Sequence, residues 1–302
     1  MTGQQEADES PHTSPYRSDG KLYGFVCIVT GATQPVGKAI VTELAAHGAA
    51  CIYACSASPS EDYSTLADQV NKQYPSTKVI GYPFKLANEE DTLTLIDDVL
   101  NAWGRLDIYV TSSALLGPPT ITTTTPTDLY NLYEAHALAP FFALKYAPAA
   151  MTKTTARRNY PNATPKDQAY GSIIVVSSVA STSGGCWGPA FTMGSHAALG
   201  VVRAGVAALK GTAPGVRVNC ISAGQVDIGV DLGKGAKGSP AATGTGNVQQ
   251  TVGLERAGLP AEVARVAGFL ASGFSSYITG ANMVVDGGAS VMNPLTIPAS
   301  GT

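Results

Sequence analysis

Short apolar runs alternate with longer amphipathic stretches along most of the 302-residue chain. The clearest run, Ile173 to Val176, has the length and β-branched content of a buried parallel strand, and a glycine-rich turn follows it. Further strands are predicted at 22–30, 50–55, 78–84, 106–111, 216–221 and 278–288. Helices are predicted at 36–47, 61–74, 88–103, 128–151, 189–213 and 259–271, with a bend at Pro140. This alternation predicts one α/β domain, a Rossmann-like, doubly wound parallel sheet of seven strands with helices on both faces.

The predicted domain spans residues 21–292. The polar residues 1–20 lack apolar periodicity and predict a disordered lead-in, and 293–302 form a C-terminal tail. Residues 152–168 carry two arginines and two prolines without periodicity, which predicts a surface insertion. Residues 229–250 are rich in glycine, alanine and threonine, which favours a mobile lid over a pocket.

Charge and composition argue against several function classes. The net charge is −3 and the pI is about 5.8, with no basic tract, so we expect no nucleic-acid partner. No run of 18 apolar residues occurs and no apolar secretory segment begins the chain, so we expect a cytoplasmic protein without a membrane partner. Five cysteines, most of them in or beside predicted strands, predict buried thiols in a reducing compartment and no metal site.

The stretch from Tyr170 to Leu199, YGSIIVVSSVASTSGGCWGPAFTMGSHAAL, resembles the short-chain dehydrogenase/reductase superfamily. The family has a serine after this strand, then a tyrosine and, four residues later, a lysine. Ser178 matches the serine, but Phe191 stands at the tyrosine position and Ser195 at the lysine position. The sequence FTMGSHAALGVVRAGVAAL otherwise follows the family pattern closely. The resemblance therefore implies the family's fold without its usual acid/base pair.

The loop TGATQPVG resembles the family's dinucleotide-binding motif TGxxxGxG, with Pro35 in place of the middle glycine. The carboxylate that would bind the adenosine ribose is missing after the second strand, where Cys55 and Ser56 stand. Lys85 replaces the adenine-contacting aspartate, and Ile228 replaces the threonine beside the nicotinamide. If a dinucleotide binds, the resemblance implies contacts from Gly31, Thr33, Gln34, Gly37, Ser56, Ala114 and Gly224. The expected cofactor is therefore none or NADP(H), with binding weakened or lost.

His136 stands at the position of the family's catalytic asparagine, and a histidine has a suitable pKa for general acid/base work. Ser178 would donate a hydrogen bond to the substrate, near the changed positions Phe191 and Ser195. The expected lining of the substrate pocket also includes Cys186, Trp187, Gln225 and Asp227. Each group has an ordinary alternative: a local hydrogen bond for His136, a capping role for Ser178 and packing for the aromatic side chains.

Three functions remain open at this point. The first is an enzyme that has left redox chemistry and isomerises, eliminates or cyclises a small apolar metabolite, in secondary metabolism by fold-level analogy. The second is an NADP(H)-dependent reduction of an activated iminium or enone. The third is a non-catalytic partner in an oligomer, and the resemblance implies a homotetramer or homodimer. We favour the first because the pocket positions carry specific aromatic, hydroxyl and imidazole groups while the frame is intact.

Overall fold

The computed structural model describes residues 16–56, 63–113, 115–158, 160, 163–184, 187–229 and 252–292. The predicted tail, residues 1–15 of the predicted lead-in and residues 230–250 of the predicted lid lie outside these ranges, as do Ala114 and Cys186. No helix within the described ranges is long and apolar enough to cross a membrane. Within the same ranges, no group of three or more His, Cys, Asp or Glu side chains could hold a metal ion.

Seven parallel strands form one sheet in the order β3-β2-β1-β4-β5-β6-β7. Their bounds are β1 Val26–Thr30, β2 Cys51–Ser56, β3 Lys78–Pro83, β4 Ile108–Ser112, β5 Gly171–Ser178, β6 Val216–Ala223 and β7 Asn282–Val285. Every residue of β1, β2 and β4 is buried, because helices cover both faces of the sheet. The chain reverses its direction of travel across the sheet between β1 and β4, which opens a crevice at the carboxyl ends of the strands. The predicted fold class is confirmed.

The described residues include seven α-helices on the two faces of this sheet. Their bounds are α1 Pro35–Ala46, α2 Tyr63–Gln73, α3 Glu89–Trp103, α4 Pro126–Tyr133, α5 Ala139–Met151, α6 Gly188–Leu209 and α7 Pro260–Ala271. One apolar cluster joins α1 and α7 through Leu44 and Val263, and a second joins α3 and α6 through Leu95 and Val202. The buried cysteines lie in these clusters, as predicted for Cys27, Cys51, Cys55 and Cys220.

The predicted single helix at 128–151 is wrong. Helix α4 begins earlier because Thr125 and Asp128 form a capping box, in which each side chain bonds the other residue's backbone N–H. A π-helical turn, Glu134–Leu138, then separates α4 from α5. Pro140 lies in the first turn of α5, where a missing backbone N–H is tolerated, so the interruption precedes it.

The disordered lead-in was predicted to extend to residue 20, but Tyr16 already packs into the core. Tyr16 is only 5% exposed to solvent, and its hydroxyl donates to the Gly171 carbonyl oxygen at 2.9 Å. The guanidinium of Arg217 lies 4.9 Å from the centre of the Tyr16 ring. Burial of an aromatic ring offsets the entropy of ordering the short polar segment that carries it.

The predicted surface insertion at 152–168 is anchored by a buried charge. Lys166 is fully buried, and its Nζ donates to the Leu106 carbonyl oxygen at 2.9 Å and lies 3.1 Å from an Asp107 carboxylate oxygen. Nearby, Arg157 donates to the carbonyl oxygens of Asn101 and Ala102 at the end of α3. Lys166 therefore ties the predicted surface insertion to the core of the domain.

Candidate active-site cleft

A small cleft lies at the carboxyl ends of β1, β4 and β5, where the strand order predicts a ligand crevice. Its volume is about 240 Å³, including the space at its open mouth. The lining combines hydroxyl groups at the strand ends with apolar side chains and one imidazole. It comprises Thr30, Leu86, Thr111, Ser112, Ser113, Ala135, His136, Ala139, Pro140, Val175 and Val176.

The π-helical turn places His136 in the wall of this cleft, as the sequence predicted for a catalytic group. The residue is 5% exposed, and its Nε2 lies 3.0 Å from the Leu115 carbonyl oxygen. A carbonyl oxygen only accepts, so Nε2 carries the hydrogen and the neutral ring leaves the lone pair on Nδ1. No hydrogen-bond partner for Nδ1 is found among the described residues. This arrangement leaves Nδ1 with a lone pair that can accept a proton, and it equally fits the local hydrogen bond that was the ordinary alternative for His136.

Burial sets the charge of His136. Desolvation lowers the pKa of the imidazole below its ordinary value, and the hydrogen bond to Leu115 opposes this shift in part. Helix α6 closes over the ring at Gly194, where a Cβ atom would lie 3.1 Å from the His136 Cβ. A neutral imidazole at neutral pH can therefore accept a proton.

Phe191 lies edge-on to the imidazole, with ring centroids 5.3 Å apart and an interplanar angle of 81°. It is buried in a small cluster with Leu132 and Ala190, and Trp187 packs at its edge. Trp187 has a φ of 52° immediately before α6, a conformation that side chains rarely adopt. The aromatic side chains therefore form a packed wall behind His136, and Phe191 offers no proton.

Ser178 and Ser195 do not line the cleft. The Ser178 Oγ accepts from the Ala180 N–H at 3.2 Å and caps a 3₁₀ turn, which was its ordinary alternative. Ser195 is fully buried, and its Oγ has no hydrogen-bond partner among the described residues. Of the four predicted catalytic positions, the structure brings His136 and Phe191 together.

The predicted pocket residues Gln225 and Asp227 are not among the residues that line the cleft. Both bond the backbone of Gly258 through their own main-chain groups, and the Asp227 carboxylate accepts from the Gly229 N–H. Gly224 packs so tightly that a Cβ atom there would lie 2.5 Å from the Asp286 Cβ. Cys186 lies outside the described residues.

The phosphate end of the family's dinucleotide site is preserved in part. Gly31 has a φ of 64°, and a Cβ atom there would lie 1.9 Å from the Ser112 carbonyl oxygen. A Cβ atom on Gly37 would lie 2.0 Å from the Gly31 carbonyl oxygen. Gln34 is the N-cap residue of α1, and its side chain makes no capping hydrogen bond. Backbone N–H groups of the first turn therefore remain available to an anion, although Pro35 lacks one.

The described remainder of that site lacks several of the groups by which the family holds a nicotinamide dinucleotide. Ser56 is 6% exposed, and its hydroxyl is already bonded to the Thr33 hydroxyl at 3.1 Å. Cys55, beside it, is a fully buried thiol whose pKa is raised by desolvation. At the nicotinamide end of the family's site, the Phe191 side chain has no hydroxyl group, and the Ser195 side chain is uncharged and shorter than a lysine. The residues present therefore offer a phosphate cradle without the groups that would hold the ribose rings.

Sequence reasoning missed the hydroxyl groups at the carboxyl end of β4 and directly after it. Thr111, Ser112 and Ser113 line the cleft, whereas attention to family positions singled out Ser178. The Thr111 Oγ1 is buried and has no hydrogen-bond partner among the described residues. The rule that placed Ser178 at a strand's carboxyl end applies equally to these three residues, so the signal was present.

Comparisons with known proteins agree with this architecture. A sequence model of the family described as enoyl-(acyl carrier protein) reductase matches residues 31–290. The chain is 30% identical over 297 residues to (+)-borneol dehydrogenase 2 of Salvia officinalis, covering 94% of each protein. It is 29% identical over 315 residues to sex determination protein tasselseed-2 of Zea mays, covering 94% of this chain and 86% of that protein.

A solved structure shows the same fold. It is the crystal structure of a short-chain type dehydrogenase/reductase from Mycobacterium marinum, with a TM-score of 0.73 and 19% sequence identity. The match covers 90% of this chain and 98% of that one. With the sheet order, the glycine loop and the family match over residues 31–290 agreeing, the chain belongs to the short-chain dehydrogenase/reductase superfamily.

Proposed function

We propose that this protein is an enzyme of small-molecule, specialised metabolism that moves a proton on a small apolar carbonyl compound without a redox cofactor. The reaction class is isomerisation, with elimination or cyclisation following from the same first step. The observation that carries the proposal is His136, buried in the cleft wall with Nε2–H bonded to Leu115 and Nδ1 unpartnered among the described residues.

The chemistry follows from the state of that ring. A lowered pKa keeps the imidazole neutral near pH 7, so Nδ1 can take a proton from a carbon next to a carbonyl group. The C–H electron pair then forms the new C=C bond, and the carbonyl π electrons move to oxygen. When the substrate carries a C=C bond between its β- and γ-carbons, the product of this step is a dienolate, and return of the proton to the γ-carbon restores the carbonyl group and completes an isomerisation with no net change in oxidation state.

The walls of the cleft support an apolar substrate. Leu86, Ala139 and Val175 line it, and Leu115 and Leu116 are exposed beside it at 43% and 39%. The cleft is narrow, because its space of about 240 Å³ includes open solvent at the mouth, so only the reacting end of a small molecule would lie against these walls.

The family's usual reaction is poorly supported by the residues present. A positioned general acid contributes roughly 10²–10⁴-fold to rate, and Phe191 has no proton to give. The fully buried Ser195 carries no charge to hold a ribose or to lower a neighbouring pKa. Both changes fall on the groups that carbonyl reduction uses, while the sheet and helices around them are intact.

Deuterium exchange tests the proposal without knowledge of the natural substrate. Cyclohexanone, cyclohex-2-enone and 2-tetralone would each be incubated with the protein in D₂O, and incorporation next to the carbonyl followed by NMR. We expect exchange above the buffer rate without added nucleotide and its loss in His136→Gln. His196→Ala is the matched control, because His196 is exposed on α6 and its Nδ1 lies 3.0 Å from the Thr192 carbonyl oxygen of the same helix. No exchange with any ketone, or full exchange in His136→Gln, would contradict the proposal.

A second candidate is an NADP(H)-dependent reduction of an iminium or enone, which needs less help from an acid. The uncapped N-terminus of α1 and the tight Gly31 turn favour it. Titration with NADPH and NADH, followed by Trp103 and Trp187 fluorescence, tests this candidate. Binding at micromolar nucleotide supports it, and the absence of binding at millimolar nucleotide rejects it. The double variant Phe191→Tyr with Ser195→Lys would gain reductase activity if the cofactor docks productively.

We also propose a homodimer or homotetramer. Three aromatic side chains of α4 and α5 are exposed, Tyr130 at 71%, Tyr133 at 51% and Phe141 at 44%. Light scattering measures the mass directly, and a monomer at micromolar concentration would reject the assembly. Absence of both exchange and nucleotide binding would leave the role of a non-catalytic oligomer partner.

A further inference from the structure

Thr111 carries a hydroxyl group that its surroundings leave unused. The residue is 5% exposed at the carboxyl end of β4, and its Oγ1 has no hydrogen-bond partner among the described residues. The residue lines the same cleft as His136. Its register partner on β5, Val175, is apolar and lines the cleft too. A buried hydroxyl without a partner destabilises the fold, and a ligand that accepts a hydrogen bond from it would remove that cost.

Two other buried hydroxyls provide a comparison. The Oγ atoms of Ser177 and Ser195 also lack hydrogen-bond partners within the described part of the chain. Neither serine lines the cleft, whereas Thr111 does. All three hydroxyl oxygens are enclosed, and Thr111 differs from the two serines in belonging to the lining of the cleft that also contains His136.

We propose that Thr111 donates a hydrogen bond to the carbonyl oxygen of the substrate, which makes the cleft a site for an enolisable carbonyl compound. This inference rests on the proposed function and assigns the second group that it needs. As His136 removes the proton from the adjacent carbon, negative charge develops on the oxygen. A donor already in place, in a cleft lined in part by apolar side chains, stabilises that charge more than water does.

The geometry also orients the substrate. Thr111 belongs to the sheet, and His136 belongs to the π-helical turn that packs over it. The oxygen therefore faces β4 and the carbon that loses its proton faces the turn. The bulk of the molecule then extends toward the open mouth of the cleft, beside the exposed Leu115 and Leu116.

Binding of 4-nitrophenolate tests Thr111 separately from turnover, because a phenolate is a planar oxyanion like an enolate. The bound anion would be followed by the shift of its absorbance band and by calorimetry. We expect Thr111→Val to weaken binding about 10- to 100-fold, the range for a hydrogen bond to a charged group. We expect Thr111→Ser to retain binding and Ser177→Ala to leave it unchanged. The melting temperature of Thr111→Val should equal or exceed that of the wild type.

The outcomes separate this inference from the proposed function. Equal binding by Thr111→Val and the wild type would overturn it, as would His136-dependent exchange by a protein that fails to bind 4-nitrophenolate. Thr111-dependent binding without any deuterium exchange would support the oxyanion site and reject the proposed reaction. Should Thr111→Val fail to fold, Thr111→Ala is the second variant, and loss of the fold in both would show a structural role and overturn the inference.

Discussion

Replacement of Asp107 by asparagine should destabilise the fold severely. Asp107 lies just before β4, fully buried, between two fully buried cations, Arg105 and Lys166. One carboxylate oxygen accepts from the Arg105 Nε and the Val26 N–H, both at 2.8 Å. The other accepts from the Arg105 Nη2 at 2.9 Å and lies 3.1 Å from the Lys166 Nζ. Asparagine keeps the shape of the side chain and removes its charge.

The expected loss of unfolding free energy in Asp107→Asn follows from the two buried cations that would remain. Two buried cations would lose their counter-ion, and breaking a buried pair by removing one partner costs about 3–5 kcal/mol. A typical domain has only about 5–15 kcal/mol of unfolding free energy, so this loss is a large fraction of the total. The asparagine amide would also present hydrogens toward one cation, which adds to the cost.

The pH dependence provides an independent check. Burial alone would raise the pKa of Asp107, but the charges of Lys166 and Arg105 outweigh it and hold that pKa below the ordinary value. A lowered native pKa stabilises the fold above the unfolded pKa of about 3.9, and this contribution is lost as the pH falls through the native value. The stability difference between wild type and Asp107→Asn should therefore be full at pH 7 and shrink in strong acid.

Urea unfolding followed by circular dichroism at pH 7 measures the difference. The exposed pair of Arg17 and Asp19 offers a matched control, and Asp19→Asn should leave the midpoint unchanged. A loss of less than about 1 kcal/mol in Asp107→Asn would refute the reasoning, since it would mean that the two cations find other partners or water.

Three further expectations concern the cleft and its frame. Because burial lowers the pKa of His136, wild-type stability should fall as the pH drops below about 6.5, where the unfolded state gains a proton first, and His136→Gln should flatten that slope in urea titrations. Gly31→Ala should lower the unfolding free energy by at least about 1–2 kcal/mol, since its φ is positive and its Cβ would collide with Ser112; a neutral result in urea unfolding would contradict the loop geometry. Thr125→Ala should cost about 1 kcal/mol by removing the cap that Asp128 shares, and calorimetry should show no loss in Thr125→Ser.

The sheet was predictable because burial on both faces produces apolar runs that can be read directly from the sequence. The break between α4 and α5 was not, because a π-helical turn depends on how α6 packs over His136 at Gly194, a contact between distant parts of the chain. Burial of Lys166 depended in the same way on the position of Asp107 in the folded chain.

For the candidate site, family positions located His136 but not Thr111. His136 was singled out because it stands at the position of the family's catalytic asparagine and because an imidazole has a suitable pKa for acid/base work. Thr111 has an ordinary strand-forming side chain, and only the absence of a partner among the described residues in three dimensions distinguishes it. Ser178 was predicted to lie in the pocket, but its hydroxyl accepts a hydrogen bond from the Ala180 N–H in a local turn.

The anchoring of Tyr16 bears on how the protein is made. Its hydrogen-bond acceptor, Gly171, lies 155 residues further along the chain, and Arg217, which packs over its ring, follows later still. During synthesis Tyr16 leaves the ribosome long before either contact exists, since chains grow at about 5–20 residues per second. The segment that carries Tyr16 is therefore translated well before the residues that it docks against, and until they appear its aromatic ring is open to chaperones.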